Sequence, residues 1–231
     1  MKKKKLIVFT GAGISAESGI RTFRDAGGLW EEFSIEDVAT FEAWERNQEL
    51  VLNFYNQRRK QIMEAKPNAA HLLIADLQKQ FDVQVITQNV DDLHERAGSK
   101  NVIHLHGEIM KARSTVDESL VYTLKNPLMK LGDLCKKGSQ LRPHIVWFGE
   151  LVPAMDNANL LAHHTDLFVV IGTSLNVYPA AGVVNYVPAY VPTWLVDPGD
   201  IHLDFIREFH HIKKTAVNGV EELRKELLKQ L

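Results

Sequence analysis

A histidine followed by a glycine, His106-Gly107, closes the apolar run Val102 to Leu105, so an imidazole is expected at the end of a short strand, facing the cleft that the strand opens into. A neutral imidazole, with an ordinary pKa near about 6.5, can take a proton from a hydroxyl at cellular pH. Upstream, Val83 to Thr87 runs into Gln88-Asn89-Val90-Asp91. Polar side chains gathered at a strand end can hold a carboxamide or ribose hydroxyls by several hydrogen bonds at once, although Asn89 or Asp91 could equally cap a helix. The first apolar run, Leu6 to Phe9, leads into Gly11-Ala12-Gly13-Ile14-Ser15-Ala16. Such a glycine turn would bring backbone N–H groups and a helix N-terminus close to a pyrophosphate. Ala16 replaces the third glycine of the dinucleotide fingerprint, and no acidic residue about 20 positions on stands out as a ribose clamp. Gly172-Thr173-Ser174 offers backbone and hydroxyl donors for phosphate or ribose. Asp197, after the run Trp194 to Val196, offers a carboxylate that can accept from a sugar diol and would reject a phosphate on it. Tyr55 and Arg58 are three apart and so share a helix face. There a guanidinium can fork onto a carboxylate and a phenol can add a third bond; in an ordinary amphipathic helix Tyr55 would be core and Arg58 solvated.

These residues need a scaffold that collects strand ends. The chain has 231 residues and is 45% hydrophobic, enough to bury a core in one or two domains rather than remain disordered. Its runs Leu6 to Phe9, Val83 to Thr87, Leu167 to Ile171 and Trp194 to Val196 each lead into a polar or glycine-rich turn. Helical stretches over 42–65, 68–80 and 217–231 lie between or after them, the second opening after Pro67 on a capping residue. Strands alternating with helices predict an α/β fold, a Rossmann-like doubly wound parallel sheet with ligands outside the carboxyl ends of its strands. Residues 1–107 and 143–231 would form that domain, 108–142 a small inserted module, and about 35–66 a helical insertion. Phe23 to Ser34, with Gly27-Gly28 between aromatic residues, is expected to be a mobile loop that folds over a ligand.

A net charge of −2 argues against a protein that coats nucleic acid or an acidic membrane. The single cysteine, Cys135, allows no internal disulfide and points to the reducing cytoplasm. The lysine run Lys2 to Lys5 precedes only four apolar residues, too few for a secretory signal or a spanning helix.

The strings Gly11 to Arg24, Thr87 to His94 and Val102 to Glu108, followed in order by Val146 to Glu150, Gly172-Thr173-Ser174 and Tyr178 to Ala181, resemble the sirtuins, the NAD-dependent protein lysine deacylases, and most closely their bacterial members. The likeness covers nearly the whole chain. It implies that His106 is the general base toward the nicotinamide ribose and that Asn89, with Gln88 and Asp91, orients the nicotinamide and its ribose. Gly11, Ala12, Gly13, Ile14, Ser15, Phe23, Arg24, Val90, Gly172, Thr173, Ser174, Asp197 and Ala216 would complete the NAD site. Relatives more often carry asparagine at the position of Asp197, and Ala216 matches the family's adenine contact. An acylated peptide would lie as an added strand between 146–150 and 175–178, on Val146, Phe148, Gly149, Asn176 and Val177. Tyr55 and Arg58 resemble the Tyr-x-x-Arg signature of sirtuins that remove malonyl, succinyl or glutaryl groups, and Ala26 the small residue that widens their acyl pocket. Products would be lysine, nicotinamide and an acyl-ADP-ribose. The partners would be acylated-lysine proteins, and the chain a monomer.

In most sirtuins the module corresponding to 108–142 holds zinc through two cysteine pairs. Here Ser114, Asp117 and Gly138 take the places of three cysteines, and no histidine lies within the module. No structural zinc is therefore expected, and an apolar cluster of Leu120, Val121, Tyr122, Leu124, Leu128, Met129, Leu131 and Leu134 is expected to hold the module instead. Rival readings are an NAD hydrolase or ADP-ribosyltransferase on the same cofactor, and a non-catalytic NAD-binding regulator. A hydride-transfer dehydrogenase fits least.

Overall fold

A computed structural model of the chain describes residues 2–22, 32–200 and 209–231. Nine strands are found among them: β1 (Lys5–Thr10), β2 (Asp82–Thr87), β3 (Val102–His104), β4 (Gly107–Ser114), β5 (Val121–Thr123), β6 (Leu141–Ile145), β7 (Leu167–Ile171), β8 (Thr193–Val196) and β9 (His210–Ile212). Six form one sheet in the order β3-β2-β1-β7-β8-β9, with every pairing parallel. The other three form an antiparallel sheet in the order β5-β4-β6. Beside β1 the chain goes one way to β2 and the other way to β7, so the strand order reverses between them. That reversal is where an open parallel sheet leaves a crevice at its carboxyl edge.

The large sheet is covered on both faces, which is why β1, β7 and β8 are almost continuously apolar. Leu6 and Val8 of β1 point to one face with Val85, Val169 and Trp194, and Ile7 and Phe9 to the other with Ile86, Phe168 and Val170. A short helix α1 (Gly13–Ala16) leaves β1. Next come α2 (Ile35–Val38), α3 (Phe41–Arg46) and α4 (Gln48–Glu64). The helical stretch expected over 42–65 is divided at Asn47, whose side-chain oxygen accepts from the Leu50 amide at 3.0 Å and starts α4 afresh. Helix α5 (Ala69–Leu77) opens on a capping box formed by Asn68 and His71. It packs Leu73, Ile74 and Leu77 onto the first face beside Val220, Leu223 and Leu227 of the last helix. The remaining helices are α6 (Leu93–Ala97), α7 (Met155–His163) and α8 (Ala216–Leu228). The opposite face is covered by Ala158 and Ala162 of α7 and by the 3-10 turn Ala180–Tyr186. No helix of the described residues is long and apolar enough to cross a membrane.

A third core joins the helical insertion to the small sheet. Val38, Trp44, Leu52, Phe54, Tyr55 and Ile62 pack there against Ile109, Ala112, Met129, Ile145 and Trp147. The long helix α4 is thereby pressed on the antiparallel sheet, with one face left toward the crevice.

Candidate active site

A cavity of about 630 Å³ lies over the β1–β7 reversal and runs between the large sheet, α4 and the 146–150 segment. Of the cofactor candidates, Gly11, Ala12, Gly13, Gln88, Asn89, Val90, Gly172, Thr173, Ser174, Asp197 and Ala216 line it, together with His106. So do Tyr55, Arg58, Val146, Phe148, Gly149 and Val177. Asn176 is exposed and does not line the cavity. Ile14 is buried in the core under the loop. Phe23, Arg24 and Ala26, with the loop glycines Gly27 and Gly28, lie outside the described residues.

The glycine turn works differently from the expectation. The amides of Gly11, Gly13, Ile14 and Ser15 already donate to Ile171, Gly172, Gly11 and Ala12 oxygens, so they are not free to grip a pyrophosphate. What the glycines permit is backbone packed on backbone. A Cβ on Gly13 would stand 2.8 Å from the Gly172 Cα, and one on Gly172, itself at φ +62°, would stand 2.3 Å from the Ile14 amide nitrogen. The two loops thus pack backbone on backbone under the cavity, which Gly11, Ala12, Gly13, Gly172, Thr173 and Ser174 line.

His106 is held by its ring. Nδ1 lies 3.0 Å from the Gln88 carbonyl oxygen, which can only accept, so Nδ1 carries the proton and Nε2 keeps its lone pair. Burial pulls the imidazole below its ordinary pKa, against the opposing pull of the Gln88 carbonyl. The ring is therefore neutral near pH 7, as a general base requires. His104, in the strand just before it, has a side chain only 7% exposed. Its Nδ1 donates to the Asn89 oxygen at 2.8 Å and its Nε2 meets Glu95 Oε1 at 2.8 Å. Burial opposes protonation there, but the Glu95 hydrogen bond and charge prevail and raise its pKa.

Asn89 spans the turn, its Nδ2 donating to the Gly11 oxygen at 3.0 Å and to Ser15 Oγ at 3.3 Å. Gln88 Nε2 donates to Thr173 Oγ1 at 3.0 Å, which ties the β2 turn to the β7 turn. Asp91 departs from the expectation that it faces a ligand. Its carboxylate turns inward, accepting from Ser15 Oγ at 3.0 Å and the Leu93 amide at 3.1 Å, and is 4% exposed. Burial raises its pKa despite those donors. Ser15 and Asp91 therefore sit behind the wall and steady Asn89. Below them lie two buried histidines that sequence reasoning did not single out: His71, 3.4 Å from Ser15 Oγ, and His94, 3.1 Å from Thr10 Oγ1. Burial drops His71 to about 4 and His94 well below its ordinary value. The capping box of Asn68 and His71 was the one visible signal for the former.

At the other end, Tyr55 and Arg58 share a face of α4, and each is 6% exposed. Arg58 is not the solvated residue of an ordinary amphipathic helix. Burial lowers its pKa to about 10, with Asp91 and Tyr55 opposing, so it remains a cation at neutral pH. Tyr55 is pushed up to about 12, chiefly by burial, although a hydrogen bond from Trp147 acts the other way.

The model of the Sir2 family matches residues 11–179, a span that runs from the first glycine turn through the His106 strand end to the β7 turn. The chain belongs to the Sir2 family. A Bacteroides thetaiotaomicron protein named NAD-dependent protein deacylase is 52% identical over 230 residues, covering 97% of this chain and 98% of its own. A Helicobacter pylori protein of the same name is 48% identical over 225 residues, covering 97% and 98%. Among solved structures, a Sir2 homologue in complex with NAD aligns with a TM-score of 0.86 at 38% identity, over 99% of this chain and 91% of its own. A Sir2 protein with a deacetylated p53 peptide and 3′-O-acetyl ADP-ribose aligns with a TM-score of 0.83 at 32% identity, over 97% and 94%. The Rossmann-like fold read from the sequence is the fold these Sir2 structures share.

In this Sir2 chain only part of the expected apolar cluster holds the small sheet, Met129 lying in the third core with Leu124 packed against it. Val121, Leu128, Leu131 and Leu134 are between 40% and 57% exposed, and only Met129 of that group is fully buried. Polar contacts take their place. Ser114 Oγ lies 3.0 Å from Ser139 Oγ, which lies 3.1 Å from Cys135 Sγ, and Lys137 Nζ pairs with Asp117 at 2.8 Å. Hydrogen bonds from Ser114 and Ser139 lower the Cys135 thiol to about 7. These positions offer one thiol, with the Asp117 carboxylate already paired, and that donor set does not fit the four-ligand site that tetrahedral structural zinc requires. Among the described residues no three His, Cys, Asp or Glu side chains converge to hold a metal ion.

The 146–150 segment also differs from a free strand edge. The amides of Val146, Trp147, Phe148 and Glu150 donate to the His106 oxygen, Glu150 Oε2, the Ala39 oxygen and the Trp147 oxygen. An added peptide strand would draw on the Gly149 amide and on carbonyl oxygens instead.

Proposed function

We propose that this sirtuin is an NAD-dependent protein lysine deacylase that favours acyl groups ending in a carboxylate and releases free lysine, nicotinamide and an O-acyl-ADP-ribose. The observation that carries the reading is one cavity lined at once by the free Nε2 edge of His106 and by the buried cation–phenol pair Arg58 and Tyr55. The cavity also suits NAD by its donor set. The two glycine loops bring the Thr173 and Ser174 hydroxyls to the cavity, Asp197 can accept from a ribose diol, and Asn89 and His106 line the same space.

When bound, NAD supplies a ribose carbon carrying a cationic leaving base, open to attack by the acyl oxygen as nicotinamide departs. Asn89, fixed by Gly11 and Ser15, orients the ribose and carboxamide. His106 Nε2 takes the proton of a ribose hydroxyl, so that the hydroxyl oxygen can bond to the acyl carbon; the bond from that carbon to the lysine nitrogen then breaks, lysine leaves as the free amine and a water adds to the acyl carbon, while the Gln88 carbonyl stabilises the imidazolium through Nδ1–H. Arg58 and Tyr55 hold a distal carboxylate by charge-assisted bonds. The peptide lies extended beside 146–150 and 175–178, and because backbone groups hold it, protein selectivity is broad.

The test is mass spectrometry of acetyl-, malonyl- and succinyl-lysine peptides with NAD, for the wild type, Arg58→Met and His106→Ala. The reading predicts peptide-dependent nicotinamide release, no turnover in His106→Ala, and loss of the acidic-acyl activity with acetyl removal spared in Arg58→Met. Nicotinamide released at the same rate without peptide would instead identify an NAD hydrolase.

A further inference from the structure

The Tyr55 hydroxyl has a partner that decides which way it can donate. Trp147 Nε1 lies 3.0 Å from Tyr55 Oη, both side chains being buried. An indole N–H can only donate, so the phenol oxygen is the acceptor, and the phenol's own proton must find an acceptor elsewhere. Among the described residues Trp147 is the hydrogen-bond partner of that hydroxyl, and Tyr55 lines the cavity beside Arg58.

The indole is itself clamped. The Arg142 guanidinium lies 3.4 Å from the Trp147 ring centroid, within the range of a cation–π contact, and Trp44 packs against Trp147 at 5.8 Å between centroids. Glu150 ties both parts together. Its carboxylate takes Arg142 Nη1 at 2.6 Å and Nη2 at 2.9 Å, Arg113 Nη2 at 3.1 Å, and the Trp147 amide at 2.8 Å. One carboxylate therefore fixes the main chain of Trp147 and the cation lying on its ring.

We propose that Trp147 is a specificity-determining positioning residue, which occupies the acceptor side of the Tyr55 hydroxyl and so turns the phenolic proton toward the acyl end of the cavity. There the proton meets an acceptor-only group. A distal carboxylate satisfies it, whereas an acetyl group, whose one oxygen is engaged in the chemistry, does not. The inference rests on the acidic-acyl reading and adds to it the residue that sets the donor.

The experiment compares kcat/KM for succinyl- and acetyl-lysine peptides in the wild type, Trp147→Phe, Tyr55→Phe, the double variant and Arg58→Met, and records the indole ¹H–¹⁵N signals of the free protein. Phenylalanine keeps the ring and removes the N–H. The succinyl-to-acetyl ratio is expected to fall about tenfold in Trp147→Phe and in Tyr55→Phe, with no further fall in the double variant, because both remove the same bond. The indole signal lost in Trp147→Phe is expected to shift in Tyr55→Phe without any NAD or peptide. The inference is overturned if that signal does not move, if the two substitutions multiply, or if Trp147→Phe slows both substrates in equal proportion. If the ratio falls in Arg58→Met but not in Trp147→Phe, the role of Trp147 alone is lost. If Arg58→Met leaves the ratio unchanged, the acidic-acyl reading fails and takes the inference with it. Should Trp147→Phe fail to fold, Tyr55→Phe and its indole spectrum decide.

Discussion

His106 shows how a main-chain acceptor sets the chemistry of a side chain. The Gln88 carbonyl determines the tautomer and burial keeps the ring neutral, so replacing the residue should remove proton abstraction without disturbing the floor of the cavity. We predict that His106→Ala lowers kcat by at least about 100-fold while the protein still binds ADP-ribose, as read by calorimetry. The base acts when neutral, and its pKa lies below the ordinary histidine value. The single-turnover rate should therefore be flat from about pH 7 upward and fall only on acidification below about 6.5; an acidic limb centred above pH 7 would contradict the assignment. His106 could be found from the sequence because a strand end and a following glycine mark it. The inward turn of Asp91 could not, because a carboxylate after a strand reads the same whether it meets a ligand or, as here, a buried serine. Tyr55 and Arg58 could be paired from their spacing alone, but Trp147, 92 residues away from Tyr55, is brought to it only by the third core.

Strands β1, β7 and β8 of the large sheet were legible as elements because burial on both faces makes them almost continuously apolar. An exception is β9, His210–Ile212, whose two histidines hide an edge strand held by pairing to β8. The position of the break between α3 and α4 was hidden for a related reason. Asn47 sits in an otherwise helical pattern, and only its bond to the Leu50 amide shows that it caps. The loops after β1 and β7 carry a sharper constraint, since Gly172 combines a left-handed φ with a 2.3 Å approach to the Ile14 amide. Gly172→Ala should lower unfolding free energy by about 1–3 kcal/mol and weaken ADP-ribose binding together with it. Denaturant midpoints and calorimetry on the same sample check both.

Across the whole molecule, one carboxylate joins the small sheet to the crevice. Glu150 faces Arg113 and Arg142, whose side chains are 7% and 5% exposed. Breaking such a pair leaves charge buried, so Glu150→Gln should cost about 3 kcal/mol. Burial alone would raise the Glu150 pKa, but the Arg142 bond, the Trp147 amide and the two cations bring it below its ordinary value. Its contribution is thus present above the unfolded carboxylate pKa of about 4.3 and is lost as pH falls through the lower folded value. The gap in stability between wild type and Glu150→Gln should be full at pH 7 and close in that acidic window, as measured by urea unfolding. Because the Ser114, Asp117 and Cys135 contacts do not fit zinc, a strong chelator should leave the melting temperature unchanged and elemental analysis should find no zinc. The composition of the module hinted at a greasy replacement, whereas beyond Met129 and Leu124, which join the third core, polar bonds among the segments between the strands take that part. The backbone contact between Gly13 and Gly172 has an outcome for biosynthesis. The two halves of the floor emerge from the ribosome about 160 residues apart, so a growing polypeptide halted before β7 has no pocket for a dinucleotide. Dinucleotide capture by stalled nascent chains of increasing length should therefore switch on only after that late strand has been translated and has docked beside the first.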